Sequence, residues 1–158
     1  MRKVMSSRLE IARASLAALP PLKRVMALDL GSTTIGIATA DYTRQFATPR
    51  MTIARTKFQA DAKALLQFAE KEHIGLIVLG LPLNMDDSEG PRVQSTKAFV
   101  RNLEKLTTMP IIYWDERLSS FEADQQMIEA GVSRAKRAEN IDQMAAAVIL
   151  QGLLDETK

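Results

Sequence analysis

Asp29 interrupts an apolar run. Residues 25–30 read VMALDL between the basic pair Lys23-Arg24 and Gly31, the pattern of a buried strand that carries a carboxylate one residue before its end. A buried charged carboxylate is strongly unfavourable unless it is paired or binds a cation. Further acids fall where strands should end. Asp86-Asp87 follow the run IGLIVLGL (74–81) and Asp115-Glu116 follow IIYW (111–114). Asp142 precedes Ala145, Ala146 and Ile149 by three, four and seven residues, which puts it on the core-facing stripe of a helix. Ligands in open sheets collect at the carboxyl ends of strands. Oxygen donors without thiolates suit a hard cation, Mg²⁺ or Mn²⁺. Two such ions roughly 4 Å apart can activate water and stabilise the leaving oxygen of a phosphodiester.

Each acid alone has an ordinary structural role. Asp29 could cap the Gly31 turn, Asp86 and Asp87 could solvate a loop, and Asp115 or Glu116 could pair with Arg117. Asp142 could bridge to Lys136 or Arg137. Their joint occurrence on elements expected to meet favours a site. The single histidine, His73, falls at the end of a predicted helix away from the acids, so metal-bound water is the expected nucleophile. The basic segment Ser133-Arg134-Ala135-Lys136-Arg137 precedes Asp142, and Arg117 follows Glu116. Cations beside acids are what a polyanionic substrate needs for positioning. Aromatic residues are few, which gives base stacking little support.

The elements that must position these groups follow from periodicity and turn chemistry. Residues 25–41 read as two strands joined by Gly31-Ser32-Thr33-Thr34, and 49–55 as a third. Thr56-Lys57-Phe58-Gln59 has the form of a capping box opening a helix with Leu65, Leu66, Phe68 and Ala69 on its apolar side. The run 74–81 suits a parallel strand covered on both faces. A helix over about 93–106 should bury Val93, Phe99, Val100, Leu103 and Leu106, and residues 111–114 form another strand. Ser119-Ser120-Phe121-Glu122 is a second capping box, for a helix reaching about Ala130 and stopped by Gly131. The last helix covers about 135–154. This order predicts an α/β fold, a mixed sheet of about five strands with helices on both faces.

At 158 residues the chain has the size of one domain. Residues 1–24 read as an N-terminal extension, flexible or a short helix ended by Pro20-Pro21, and 25–155 as the functional domain. A signal peptide is disfavoured because Glu10 and Arg13 break the apolar stretch. The absence of cysteine excludes a disulfide scaffold, a thiolate zinc site and a cysteine nucleophile, and fits a cytoplasmic location. No apolar stretch reaches the roughly 20 residues needed to span a bilayer. The net charge of +2 does not by itself mark a nucleic-acid binder, so the local basic patch carries that expectation.

Taken together, LDLGSTTIGIATAD (28–41), VLGLPLNMDDSEG (78–90), WDERLSS (114–120) and SRAKRAENIDQMAAAVILQ (133–151) resemble the YqgF/RuvX family. Its members are RNase H-like proteins described as Holliday junction resolvases and as pre-16S rRNA nucleases. The resemblance covers nearly everything after Leu22. It implies an RNase H-like fold and a metal-dependent nuclease site. Asp29 matches the first-strand aspartate, Glu116 the acid of the DER motif and Asp142 the acid of the final helix, as catalytic residues and ligands of Mg²⁺ or Mn²⁺, with two ions expected. Asp115 is the other DER acid and a further candidate ligand. Strand alternation lets only one of Asp115 and Glu116 face the site fully; Glu116 is favoured for its longer arm. Arg117, Lys136 and Arg137 are candidates for phosphate contact, and Asn84 for orienting substrate. Two positions depart from the family pattern: Thr33 stands where a basic residue is usual, and Asp87 where the loop usually has glycine.

The resulting expectation is an endonuclease on structured nucleic acid, first for 5′-end maturation of pre-16S rRNA, with Holliday junction resolution as the alternative. Two other functions compete. The Asp-x-Gly-Ser-Thr pattern also opens the phosphate loop of actin-like ATPases, which need two such domains. A non-catalytic RNA-associated factor could keep the acids for structure. A two-fold junction would call for a homodimer, whereas rRNA end-processing would not.

Overall fold

The computed structural model describes residues 2–84, 86, 88–116 and 119–158, with side chains described from residue 8 onward except at 119–122. In chain order the elements are α1 (Arg2–Ala18), β1 (Arg24–Leu30), β2 (Thr34–Ala40), β3 (Ala47–Ala54), α2 (Phe58–Lys71), β4 (Ile74–Leu81), α3 (Pro91–Glu104), β5 (Ile111–Asp115), α4 (Ser119–Glu129) and α5 (Arg134–Glu156). The strands form one sheet in the order β3-β2-β1-β4-β5. Short links make β1–β2 and β2–β3 antiparallel. The helical crossovers α2 and α3 carry the chain to β4 and β5, so β1–β4 and β4–β5 are parallel. The mixed five-stranded sheet expected from the sequence is the sheet observed.

Alternation along each strand separates two cores. Val25, Ala27, Leu76, Val78, Ile112 and Trp114 face α5, meeting Ala146, Ile149, Leu150 and Leu153. Met26, Leu28, Ile77 and Leu79 face the other way, onto Ala62 and Leu65 of α2 and Phe99 and Leu103 of α3. Asp29 is in phase with Val25 and Ala27, so it lies on the α5 face. Ala12 and Leu19 join that same core, with Leu9 and Leu16 packed against it. Arg44 holds α1 by its C-terminal end, donating to the carbonyls of Leu16 (3.0 Å), Leu19 (3.0 Å) and Pro20 (2.8 Å).

Some local expectations fail for physical reasons. The Thr56–Gln59 capping box does not form: Lys57 is the N-cap of α2 and no side chain caps it. Thr56 is instead held by buried Asp61, whose Oδ1 accepts from the Thr56 amide (3.1 Å) and hydroxyl (3.2 Å). α3 starts two residues earlier than expected, with Pro91 in its first turn, where the missing N–H has no helical partner to lose. Leu106 lies beyond the end of α3 and is 47% exposed rather than buried. The second expected capping box falls on side chains outside those described.

Two glycines set the spacing of the α5 layer. A Cβ on Gly36 of β2 would stand 2.0 Å from the Asp142 carbonyl oxygen, and one on Gly80 of β4 would stand 2.6 Å from Ile149 Cδ1 and 2.9 Å from Glu116 Cβ. Glycine inside a strand marks such close approach. The obstacle at Gly36 is backbone, which cannot rotate aside. Gly36→Ala must therefore lift α5 from the sheet, at about 2–3 kcal/mol or more. Urea denaturation should show the midpoint falling with the slope unchanged; an unaltered midpoint would mean that α5 is not seated as described.

Candidate active site

β1, the central strand, carries Asp29 at its carboxyl end, and β5 ends one residue before Glu116. Glu116 is in phase with Ile112 and Trp114 on the α5 side, whereas Asp115 alternates with Ile111 and Tyr113 on the other. Parity therefore separates the two acids of the Asp-Glu-Arg segment, and it is Glu116 that meets Asp29 through a side-chain hydrogen bond. Both are buried, at 7% and 8% relative exposure. Gly80 leaves the space that the Glu116 side chain occupies.

Asp142 arrives from α5, directly over Gly36. Gly36 is the cross-strand partner of Asp29, so the contact of α5 with Gly36 also brings Asp142 to the Asp29 position. Its Oδ2 accepts a 2.7 Å hydrogen bond from Thr34 Oγ1. Thr34 is itself fixed by the tight turn in which the Gly31 amide donates to the Thr34 carbonyl at 2.8 Å.

The charges are out of balance. Burial raises the pKa of Asp29 most; the Glu116 hydrogen bond opposes this, the Asp142 charge adds to it, and the Arg92 guanidinium opposes it. Burial also leads at Glu116, followed by its hydrogen bond to Asp29 and the charge of Asp29, with Arg92 opposing and Asp115 adding. Together they push its carboxyl up to about 9. Two buried carboxyl groups in contact resist ionising together, and burial with the charge of Asp29 favours the neutral form of Glu116. Arg92 Nη2 lies 3.8 Å from Glu116 Oε1 and its side chain is 66% exposed, so solvent screens most of its help.

This donor set fits a hard divalent cation: its oxygens are buried, and they hold a proton where positive charge is missing. Among the described residues, no three acidic or imidazole side chains are drawn to the spacing of a single ion. The arrangement is a carboxyl pair with Asp142 turned toward Thr34. Asp142 lies within charge range of Asp29.

The other expected site residues are spread more widely. Asn84 is exposed in the loop after β4, its Nδ2 donating to Ser88 Oγ at 2.9 Å. Asp86 Oδ1 accepts from the Ser88 amide (3.0 Å) and hydroxyl (2.6 Å), folding that loop on itself. Arg137 donates to Asp124 (2.9 Å) and to the Val132 carbonyl (3.0 Å), tying α5 to α4. Lys136 pairs with Glu139 at 3.6 Å, both side chains 67% exposed. Arg117 and Asp87 lie outside the described residues. His73 closes the turn before β4 with φ +58° and accepts the Arg24 amide on its carbonyl.

Three residues at the site were not read from the sequence: Thr34, Arg92 and Arg55. Thr34 passed as a turn residue. Starting α3 at Val93 left Arg92 in a loop, although Pro91 signalled the earlier start. Arg55 follows β3 and reaches back over the first turn, donating through Nη1 to the Gly31 carbonyl at 2.6 Å.

The shared proton has a stability signature. An unfolded glutamate titrates near 4.5, whereas Glu116 holds its proton to about 9 when folded. Between those values the folded state binds more protons, so metal-free stability falls as pH rises through that window. The slope is on the order of 1 kcal/mol per pH unit at most. Glu116→Gln should flatten it and make the protein more stable than wild type at pH 8. Denaturant titrations in EDTA at pH 5, 7 and 9 test this; parallel pH profiles for the two proteins would refute it.

Residues 23–156 match the RuvX family, described as Holliday junction resolvase. A relative from Rhizobium meliloti (strain 1021), named "Putative pre-16S rRNA nuclease", is 59% identical over 137 residues, covering 87% of this chain and 83% of its own. A namesake from Rhizobium etli (strain CIAT 652) is 57% identical over 139 residues, covering 88% and 85%. Among solved structures, Thermus thermophilus RuvC in complex with Holliday junction substrate superposes with a TM-score of 0.52 at 12% identity, covering 84% of this chain and 94% of that one. That likeness concerns the fold alone, which is RNase H-like. With its family-wide match and its close relatives, this chain belongs to the RuvX family.

Proposed function

We propose that this protein is a divalent-metal-dependent endonuclease of structured nucleic acid that matures the 5′ end of pre-16S rRNA. The observation that carries the reading is the buried Asp29–Glu116 pair, short of positive charge, with Asp142 beside it at the carboxyl edge of the sheet. The names of the relatives support rRNA as substrate. The family description supports a second reading, cleavage of branched DNA. No described helix is long and apolar enough to cross a membrane.

In this reading Asp29, Glu116 and Asp142 hold one or two Mg²⁺ or Mn²⁺ ions, with Asp115 as a further candidate ligand at the same strand end. When bound, such ions lower the pKa of a water and offset charge on the leaving oxygen. The protein's own groups prepare the seat. Glu116 releases the proton it shares with Asp29, Thr34 orients Asp142 through its hydroxyl, and Gly80 keeps the Glu116 side chain unobstructed. Lys136 can exchange its exposed partner for a phosphate; Asn84 stands in the loop after β4, and Arg117 directly follows Glu116 in the sequence. Arg137 contributes by fixing the start of α5 against α4, with phosphate contact as a further role. The reading requires no homodimer for rRNA; a junction substrate would.

The test is to incubate purified protein with a precursor 16S rRNA fragment and with a four-way DNA junction, in Mn²⁺ and in EDTA. Cleavage of the RNA in Mn²⁺ only is expected, and preferential cleavage of the junction would favour the second reading. Asp29→Asn keeps the shape of the side chain and should abolish cleavage while circular dichroism stays unchanged. An undiminished rate in that variant would end the assignment.

A further inference from the structure

We infer that the cavity beside the acids is a separate phosphate seat, with Arg55 and Arg92 positioning a substrate phosphate other than the one cut. This rests on the nuclease reading for the identity of the ligand, though not for the existence of the seat. The cavity has a volume of about 360 Å³ and lies between the β1–β2 turn, the residue after β3 and the first turns of α3. Leu30 and Gly31, immediately after Asp29, form one wall, and its polar lining is Ser32, Arg55, Arg92, Ser95 and Thr96. Two guanidinium groups and no carboxylate line it among the described residues.

Arg55 is fixed from three sides. Its Nη1 donates to the Gly31 carbonyl at 2.6 Å, its backbone amide donates to the Thr33 carbonyl at 2.9 Å, and its guanidinium lies 5.6 Å from the centre of the Phe99 ring. It makes no ion pair among the described residues. The remaining donors of a planar guanidinium held this way suit phosphate oxygens. Arg92 lies on α3, and its ion pair with Glu116, at 3.8 Å, is longer than a hydrogen bond. A cavity lined by two guanidinium groups and several hydroxyls, with no carboxylate among its described lining residues, suits an anion. Its walls continue directly from the Asp29 strand end, so a chain whose scissile group sits at the acids passes over it. Phosphate is the chemistry common to an internal diester and to a 5′-terminal monoester.

The experiment measures binding without cleavage. A fluorescent precursor-rRNA fragment is titrated with full-length Asp29→Asn protein in Mg²⁺ over a salt series. It is then titrated with the same protein carrying Arg92→Gln or Arg55→Gln. Each added substitution should weaken binding roughly 10-fold and lower the slope of log K against log salt by about 1. With Asp29 restored, Arg55→Gln should raise KM and leave kcat within about twofold, since Arg55 does not touch the acids. Arg92 is largely exposed, so its variant folds even if Arg55→Gln loosens the turn. RNAs with 5′-phosphate and 5′-hydroxyl ends separate the two sources. A preference for the phosphate that disappears in Arg92→Gln assigns a terminal monoester; equal affinities together with the lost slope assign an internal diester. An unchanged salt slope in both arginine variants would overturn the seat. Because binding is read in cleavage-dead protein, that result stands apart from failure of the nuclease assignment, which Asp29→Asn itself decides.

Discussion

The close passage of α5 over β2 is the constraint on which the site depends. Gly36 stands opposite Asp29 in the antiparallel pair, and the α5 backbone at Asp142 fills the volume that a side chain there would need. Small residues continue the seat along the helix: Ala145, Ala146 and Ala147 are buried beneath it. One backbone approach thus fixes the height of α5, its rotation and its register against the sheet. Asp142 reaches Asp29 as a consequence. A helix lying a few ångströms farther out would leave Thr34 without its partner and Asp29 without its neighbouring acid.

What that packing creates is electrostatically unfavourable, and it raises the pKa of both Asp29 and Glu116. The hydrogen bond between Glu116 and Asp29 pulls their two pKa values in opposite directions, yet both end above the ordinary carboxyl range because burial leads at each. Arg92 works against the shift at both acids but stands mostly in water, where an ion pair at this length contributes little. A structural carboxylate pair would gain from a buried guanidinium or several backbone donors. Among the described residues, this pair has neither in sufficient measure. Two buried acids with so little compensation contribute poorly as a fold-stabilising bridge.

Much of this was legible in the sequence, and the rest was hidden for identifiable reasons. Asp29 announced itself by breaking a buried strand, and Asp142 by sharing a stripe with Ala145, Ala146 and Ile149. That the sheet is mixed followed from the short first turn and the helical segments between later strands. Parity places the two acids differently: Trp114 points to α5, and Glu116, two residues on, does the same, whereas Asp115 faces the other way. Side-chain length, the reason given for preferring Glu116, was secondary to that alternation. The Thr56 capping box failed because buried Asp61 offered Thr56 a partner within its own turn. Leu106 misled because α3 ended at Glu104. The role of Thr34 depends on contact with a residue 108 positions away, which no local pattern encodes.

The basic residues show the same limit more sharply. Arg134 to Arg137 form a dense run in the sequence and invite reading as a phosphate-binding patch. In the fold Arg137 is absorbed by Asp124 and the Val132 carbonyl, and Lys136 faces Glu139 on its own helix. Arg55 and Arg92 lie far apart in the chain and stand in no charge run. They converge because β3 ends beside the β1–β2 turn, and because α3 begins where the chain returns from β4 to the same edge of the sheet. The first turn bears Thr33 where a basic side chain was expected, yet the guanidinium of Arg55 reaches that turn from the neighbouring strand. Density of charge along a sequence measures solvation of a segment, whereas a field at a site depends on which strand ends the topology brings together. Here the topology brings two arginines to a cavity whose wall begins one residue beyond Asp29, an arrangement suited to a substrate that needs both acids and cations.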